Sequence, residues 1–129
     1  MGIRSPCRNH HPLSFPEDAN PQDYAWYDSN NKDPYGTGPK QVKTKLPNAF
    51  ELYDFHGNLR EWVQDHSSDD YSADVNGVTD PKGPLEGDFR ITRGGYYNES
   101  RKLMRSSHLE PKTETTKYVG VGIRLCGDP

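Results

Sequence analysis

The chain has 129 residues and a formal net charge of −3, a length that fits one compact domain and leaves little room for two. The small charge and the lack of a basic stripe argue against nucleic acid as a partner, and no apolar stretch is long enough to cross a membrane. Hydrophobic residues make up 30% of the chain, and 12 Gly and 11 Pro favour turns, but two Trp, eight Tyr and four Phe can supply an aromatic core.

The elements predicted along the chain are short strands separated by long loops. Residues 1–22 carry four prolines and no apolar segment of a signal peptide, so we predict an irregular arm followed by a domain over 23–129. Alternation of apolar and polar residues predicts strands at 89–93 and 118–125. The other segments are an aromatic strand or turn at 23–27, a loop at 28–48, the densest apolar segment at 49–64 and a second loop at 65–88. Loops of about 20 residues are unusual in a compact domain, so other groups must fix them.

Three segments, in a fixed order and spacing, carry a resemblance to a known family. They are PNAFELYDFHGNLREW at 47–62, RITRGGYY at 90–97 and GIRL at 122–125. Together they resemble the formylglycine-generating-enzyme (sulfatase-modifying-factor) family. The resemblance implies an α+β, C-type-lectin-like fold of mainly antiparallel strands and long loops with little helix. Residues 23–129 would be the C-terminal part of such a domain. Its strands would then be partly exposed, and we expect either a missing N-terminal half or, by self-association, a second copy of the chain to pack against them.

The resemblance also bears on catalysis. Active members of the family oxidise a sulfatase cysteine to formylglycine with copper held between two cysteines that follow the RGG motif, and soft thiolates are the ligands that select Cu(I). The matching positions here are Glu99 and, nearby, Met104. We therefore predict no catalytic residue and no copper, but a pseudoenzyme that serves as a binding or scaffold module for a protein or a small ligand. One alternative is a fragment of the oxidoreductase that makes formylglycine. Another is a variable ligand-display protein that presents Tyr96, Tyr97 and Asn98.

A calcium site is the second implication of the resemblance. Its ligands map to Asp54, Gly57, Leu59 and Glu61, with Gly57 and Leu59 contributing backbone carbonyls. The residue types suit this ion, because calcium takes about six to eight oxygens from carboxylates, carbonyls and water. We expect calcium to stabilise the domain.

The same loop has a structural interpretation, which stays open from the sequence. In it, Glu61 pairs with Arg93 or Arg124 in a buried ion pair, and Asp54 caps a turn. His56, inside the loop, is interpreted as a surface residue or one that supports the ligands from outside.

The cysteines and tryptophans suggest structural roles. Cys7 and Cys126 are interpreted as free thiols, with a single disulfide as the alternative, because two cysteines define no framework. Trp26 and Trp62 are predicted to anchor the core rather than to form a platform for a ligand.

Overall fold

A computed structural model of the protein describes residues 13–32, 36–67, 79, 84, 86–115 and 117–125. Within them, the regular elements are α1 (Pro21–Tyr24), β1 (Arg60–His66), β2 (Phe89–Arg93), a 3-10 turn (Arg101–Met104), β3 (Glu110–Thr113) and β4 (Val121–Gly122). The strands form one sheet in the order β3-β2-β1-β4. β2 lies antiparallel to both β1 and β3, and β4 pairs parallel with β1. The expected α+β class, with mainly antiparallel strands, long loops and little helix, is confirmed.

The segment expected to be a strand or turn at 23–27 is partly helical. α1 begins at Pro21, since proline suits the first turn of a helix, where its missing N–H is not needed. The Asn20 side chain accepts a hydrogen bond from the Gln22 backbone N–H and caps the helix. Aromatic content alone does not report this cap, so the helix was missed.

The two strands predicted from alternation differ in how far they form. β2 spans the predicted residues and buries Ile91 completely. In the second segment, expected at 118–125, only Val121–Gly122 is strand. Ile123 is 74% exposed, so no described element packs over that face.

The hydrophobic core joins residues that are distant in sequence. Leu13, Phe15, Ala25, Tyr27 and Met104 form one buried cluster. Its first two members lie before residue 23 and pack with the domain. The predicted boundary between an arm and the domain stays a prediction, because residues 1–12 lie outside the described part of the chain.

Asparagine side chains fix the long loops. Asn58 makes two hydrogen bonds to Lys40, one accepted from its backbone N–H at 2.8 Å and one donated to its carbonyl at 3.1 Å. The Asn48 side chain accepts from the backbone N–H groups of Phe50 and Leu52. Both asparagines are buried, so these bonds replace the strand and helix bonds that the loops lack.

His56 occupies the interior, so of the two roles expected from the sequence the surface position is wrong. It is 2% exposed. Its Nε2 accepts the Ser14 backbone N–H at 2.9 Å, so Nδ1 carries the hydrogen and donates to the Met104 carbonyl at 2.6 Å. His56 therefore links the first described segment to the 3-10 turn.

The described residues contain no helix with the length and apolar character needed to cross a membrane.

Candidate functional site

Asp54, the first predicted calcium ligand, lies in the loop that leads into β1. Its φ of 53° is in the left-handed region, which Asp tolerates better than most residues. The carboxylate is buried, and Oδ2 accepts the Lys43 backbone N–H at 2.8 Å. The other oxygen, Oδ1, is buried and has no hydrogen-bond partner within the described chain. A buried carboxylate oxygen without a partner is unfavourable, so Oδ1 offers a place for a cation.

Gly57, the second predicted ligand, is at a position that only glycine can occupy. Its φ is 77°, and a Cβ atom there would lie 2.1 Å from the Trp26 carbonyl oxygen. Its backbone N–H donates to the Gly94 carbonyl at 2.7 Å. The loop is thus clamped between two other segments, which fixes the direction of its own carbonyl groups.

Glu61, on β1, is engaged by Arg124. The Arg124 Nε donates to Oε2 at 2.8 Å, and Nη2 donates to Oε1 at 2.7 Å. Arg124 Nη2 also donates to the Tyr53 carbonyl at 2.8 Å. Of the two arginines considered in the structural interpretation, Arg124 forms the pair and Arg93 donates to the Ser106 carbonyl. The pair is partly exposed rather than buried as expected, because the Arg124 and Glu61 side chains are 30% and 25% exposed.

One cavity of about 270 Å³ brings three of the four predicted ligands together. Asp54, Leu59 and Glu61 line it with Arg124, and Gly57 is not among its lining residues. The described residues contain no group of three or more His, Cys, Asp and Glu side chains suited to a metal. A cation in this cavity would depend on backbone carbonyls, as the predicted ligand set does. The Asp54 Oδ1 atom is suited to bind a cation. The Glu61 carboxylate could bind the same cation only by giving up its ion pair with Arg124.

Glu99 stands where the resemblance places the first copper cysteine, and it belongs to a cluster of charges. Its carboxylate forms an ion pair with Arg60 and accepts the Tyr96 backbone N–H at 3.1 Å. Arg60 also pairs with Glu110, which in turn pairs with Lys112. Arg60 is 2% exposed, so the pair is largely shielded from water and its attraction is stronger than at a surface.

Met104, near the second cysteine position, is part of the core. Its side chain is fully buried in the cluster with Phe15 and Tyr27. A Cβ atom on Gly95 would lie 3.0 Å from its Cγ atom, so the methionine packs closely against the RGG turn. The thioether therefore fills space inside the domain.

The ionisable groups around Arg60 carry shifted pKa values. Partial burial, followed by the positive charge of Arg60, lowers the pKa of His108. Burial alone would raise the pKa of Glu110, but the hydrogen bond from Lys112 and the charges of Arg60 and Lys112 outweigh it and lower the pKa. The cluster thus favours neutral His108 and ionised Glu110, while Arg60 Nη1 is buried without a partner in the described residues.

Sequence reasoning missed this cluster. Arg60 lies within the GNLREW run, and its partners Glu99 and Glu110 lie about 40 and 50 residues further on. Opposite charges at such separations give no local signal. The order of the strands in the sheet brings them together: β2 lies between β1, which carries Arg60, and β3, which carries Glu110.

The prediction that both tryptophans anchor the core is wrong. Trp26 is half-buried, donates to the Thr44 hydroxyl at 3.0 Å and has the Lys45 ammonium 3.9 Å from its ring centroid. Trp62 is also half-buried and lines a cavity, so neither is an interior anchor. Cys7 and Cys126 lie outside the described residues.

Comparison with protein families and curated proteins gives consistent results. The family model described as "Sulfatase-modifying factor enzyme 1-like domain" matches residues 11–129. The formylglycine-generating enzyme of Thermomonospora curvata is 33% identical over 102 residues, which cover 72% of this chain and 32% of that protein. The serine/threonine-protein kinase pkn1 of Chlamydia pneumoniae is 36% identical over 68 residues, which cover 52% of this chain and 11% of the kinase. The chain thus spans about a third or less of these relatives.

Solved structures support the fold. Treponema denticola variable protein 1 superposes with a TM-score of 0.66 at 30% identity, over 79% of this chain and 35% of that one. PvdO from Pseudomonas aeruginosa superposes with a TM-score of 0.61 at 24% identity, over 81% of this chain and 40% of that one. The expected C-type-lectin-like arrangement of the strands and loops is confirmed.

Proposed function

This chain belongs to the family of sulfatase-modifying factor enzyme 1-like domains, and we propose that it is a non-catalytic, calcium-stabilised member that acts as a binding or scaffold module. The observation that carries the proposal is the ion pair between Glu99 and buried Arg60. At this position an active member would need a free thiolate for copper. Here the carboxylate stabilises the fold.

The chemistry of the two positions supports a pseudoenzyme. Copper(I) prefers thiolate and thioether ligands, and a carboxylate is a hard oxygen donor that binds it poorly. Met104 has a suitable sulfur, but that side chain is fully buried in the core. Exposing it would remove a large apolar group from the interior, at a cost of about 2–5 kcal/mol by analogy with truncation of buried Met.

The relatives support a role as a module. The curated kinases match this chain over only about a tenth of their length, so domains of this type also occur within proteins that are named for other activities. One fold carries many functions, and the site decides among them. The similarity to formylglycine-generating enzymes supports the alternative, a fragment of an oxidoreductase. That alternative would replace the proposal if the chain proved to be active.

A variable ligand-display protein is a second candidate, favoured by the likeness to a protein named variable protein 1. Of the three residues expected to be displayed, Asn98 is exposed, Tyr96 is half-buried and Tyr97 is 8% exposed. A surface built on this segment would therefore rest on Asn98 and part of Tyr96.

The proposed calcium site is the cavity lined by Asp54, Leu59 and Glu61. The unpartnered Asp54 Oδ1 supports it most, since a divalent cation would satisfy that buried oxygen. The Gly57 and Leu59 carbonyls would complete the protein ligands. When bound, calcium would supply charge and cross-link the loop to β1. It is not expected to take part in any reaction.

The test of the proposal is conversion of cysteine to formylglycine in a sulfatase-motif peptide. The copper-loaded protein, oxygen and the peptide are incubated together, and the peptide mass is followed. The Thermomonospora curvata enzyme serves as the positive control. We expect the peptide to keep its thiol mass with our chain and to lose it with the control enzyme. Gain of the aldehyde with our chain would replace the proposal with the oxidoreductase fragment.

A further inference from the structure

We infer that the cavity beside Trp62 binds a small molecule that combines an aromatic ring with a carboxylate. This inference deepens the proposed function of a binding module by naming a ligand class. It does not involve the calcium cavity or the Arg60–Glu99 pair.

The cavity lies between the sheet and the segment that connects β3 to β4. Its volume of about 470 Å³ is within the range of about 300–1,000 Å³ of small-molecule sites. Trp62 comes from β1, Arg90 from β2 and Val121 from β4, while the connecting segment supplies the other wall. The lining residues are Trp62, Arg90, Glu114, Lys117, Tyr118 and Val121.

The ring-binding part of the cavity is held in place. The Tyr118 hydroxyl lies 2.8 Å from the Thr113 hydroxyl and accepts the Thr113 backbone N–H at 3.3 Å. The Lys112 ammonium lies 5.0 Å from the Tyr118 ring centroid. Trp62 projects from a strand that is paired on both sides. Two aromatic side chains and Val121 thus offer apolar surface for a planar group, and little ordering is needed on binding.

The charges favour an anion. Arg90 is fixed by the Gln64 carbonyl at 2.5 Å and by an ion pair with Glu114, so these two charges largely cancel. Lys117 is exposed and makes no hydrogen bond or ion pair within the part of the chain that the structure describes. The cavity therefore carries one uncompensated positive charge next to aromatic surface. A carboxylate reaching Lys117 would form a charge-assisted hydrogen bond, while its ring contacts Trp62 and Tyr118.

Two probes that differ only in charge test the inference. N-acetylphenylalanine has a ring and a carboxylate, and its amide has the same ring without the charge. A free aromatic acid and the C-terminus of a peptide that ends in an aromatic residue share this chemistry. Comparing the affinity of Gly-Gly-Phe, which represents the peptide C-terminus, with that of 4-hydroxyphenylacetate, which represents the free acid, distinguishes these two sources. Binding is followed by tryptophan fluorescence in a Trp26→Phe background, where Trp62 is the only tryptophan.

The expected result is that N-acetylphenylalanine binds about two- to fivefold tighter than its amide, as one ion pair at an exposed lysine predicts. Lys117→Gln should remove that difference. The matched control is Lys45→Gln, which makes the same change at the lysine beside Trp26 and should leave binding unchanged. Equal affinity for acid and amide, no binding of either, or an unaltered Lys117→Gln variant would overturn the inference. The peptide-conversion assay and calcium titration are unaffected by that outcome, so failure of the two proposals is distinguishable.

Discussion

Replacing Glu99 with Gln perturbs the interaction on which the proposed loss of catalysis rests. The substitution keeps the shape of the side chain but removes the charge that faces Arg60. The Arg60 side chain is 3% exposed and that of Glu99 is 12% exposed, so water cannot fully replace the lost partner. Arg60 keeps its ion pair with Glu110, which limits the damage.

The magnitude follows from this burial. Removing one partner of a buried ion pair costs about 3–5 kcal/mol, and the remaining Glu110 contact places Glu99→Gln at the lower end, about 3 kcal/mol. At about 4 °C per kcal/mol for a domain of this size, the melting temperature should fall by about 12 °C. That is a large share of the about 5–15 kcal/mol by which most domains are stable.

The assay is urea unfolding of four proteins that form a double-mutant cycle: the parent chain, Glu99→Gln, Arg60→Met and the double variant. We expect a coupling energy of at least about 1 kcal/mol between the two positions. The matched control is Glu114→Gln, which removes a carboxylate from an arginine pair whose side chains are 35% and 48% exposed. It should cost less than about 1 kcal/mol. If Glu99→Gln costs no more than Glu114→Gln, Glu99 has no structural role and the reasoning is refuted.

Two further predictions concern pH. Because the pKa of His108 is lowered in the fold, the unfolded state binds more protons, so stability present above its ordinary pKa of about 6.5 should be lost as the pH falls below that value towards the lower folded pKa. His108→Asn should flatten that part of a plot of melting temperature against pH, and an unchanged slope would contradict it. The pKa of Glu110 is also lowered, so a second loss should begin below its ordinary pKa as the pH falls through the folded value. Glu110→Gln should remove this acid step. An identical step in both proteins would show that other carboxyl groups cause it.

The parts of the fold that could be predicted are those with a local signal. Alternation identified β2, and the spaced segments around Gly57 and Gly94 identified the fold class. The requirement at Gly57 is physical, because its positive φ and its 2.1 Å approach to the Trp26 carbonyl exclude any side chain. The cap of α1 by Asn20 also has a local signal, which the aromatic run beside it obscured.

The rest depends on contacts between distant residues. The choice of Arg124 over Arg93 as the partner of Glu61 is decided by the course of the chain after β4, which alternation cannot report. The burial of His56 depends on Ser14, 42 residues away. The cavity beside Trp62 forms only when the segment between β3 and β4 folds over the sheet. Such sites need the register of the strands, so the sequence could not reveal them.

Calcium titration tests most directly the claim that one calcium ion stabilises this domain. Calorimetry and melting curves are recorded for the parent chain, for Asp54→Asn, which removes the charge beside the unpartnered Oδ1, and for Asp18→Asn, an exposed control. We predict one calcium ion per chain for the parent and for Asp18→Asn, and binding at least about tenfold weaker for Asp54→Asn. At a hundredfold excess over Kd, calcium should add about 2.7 kcal/mol and raise the melting temperature by about 10 °C, and a chelator should reverse this. Equal calcium uptake by all three proteins, or a melting temperature that is identical with calcium and with chelator, would contradict the claim.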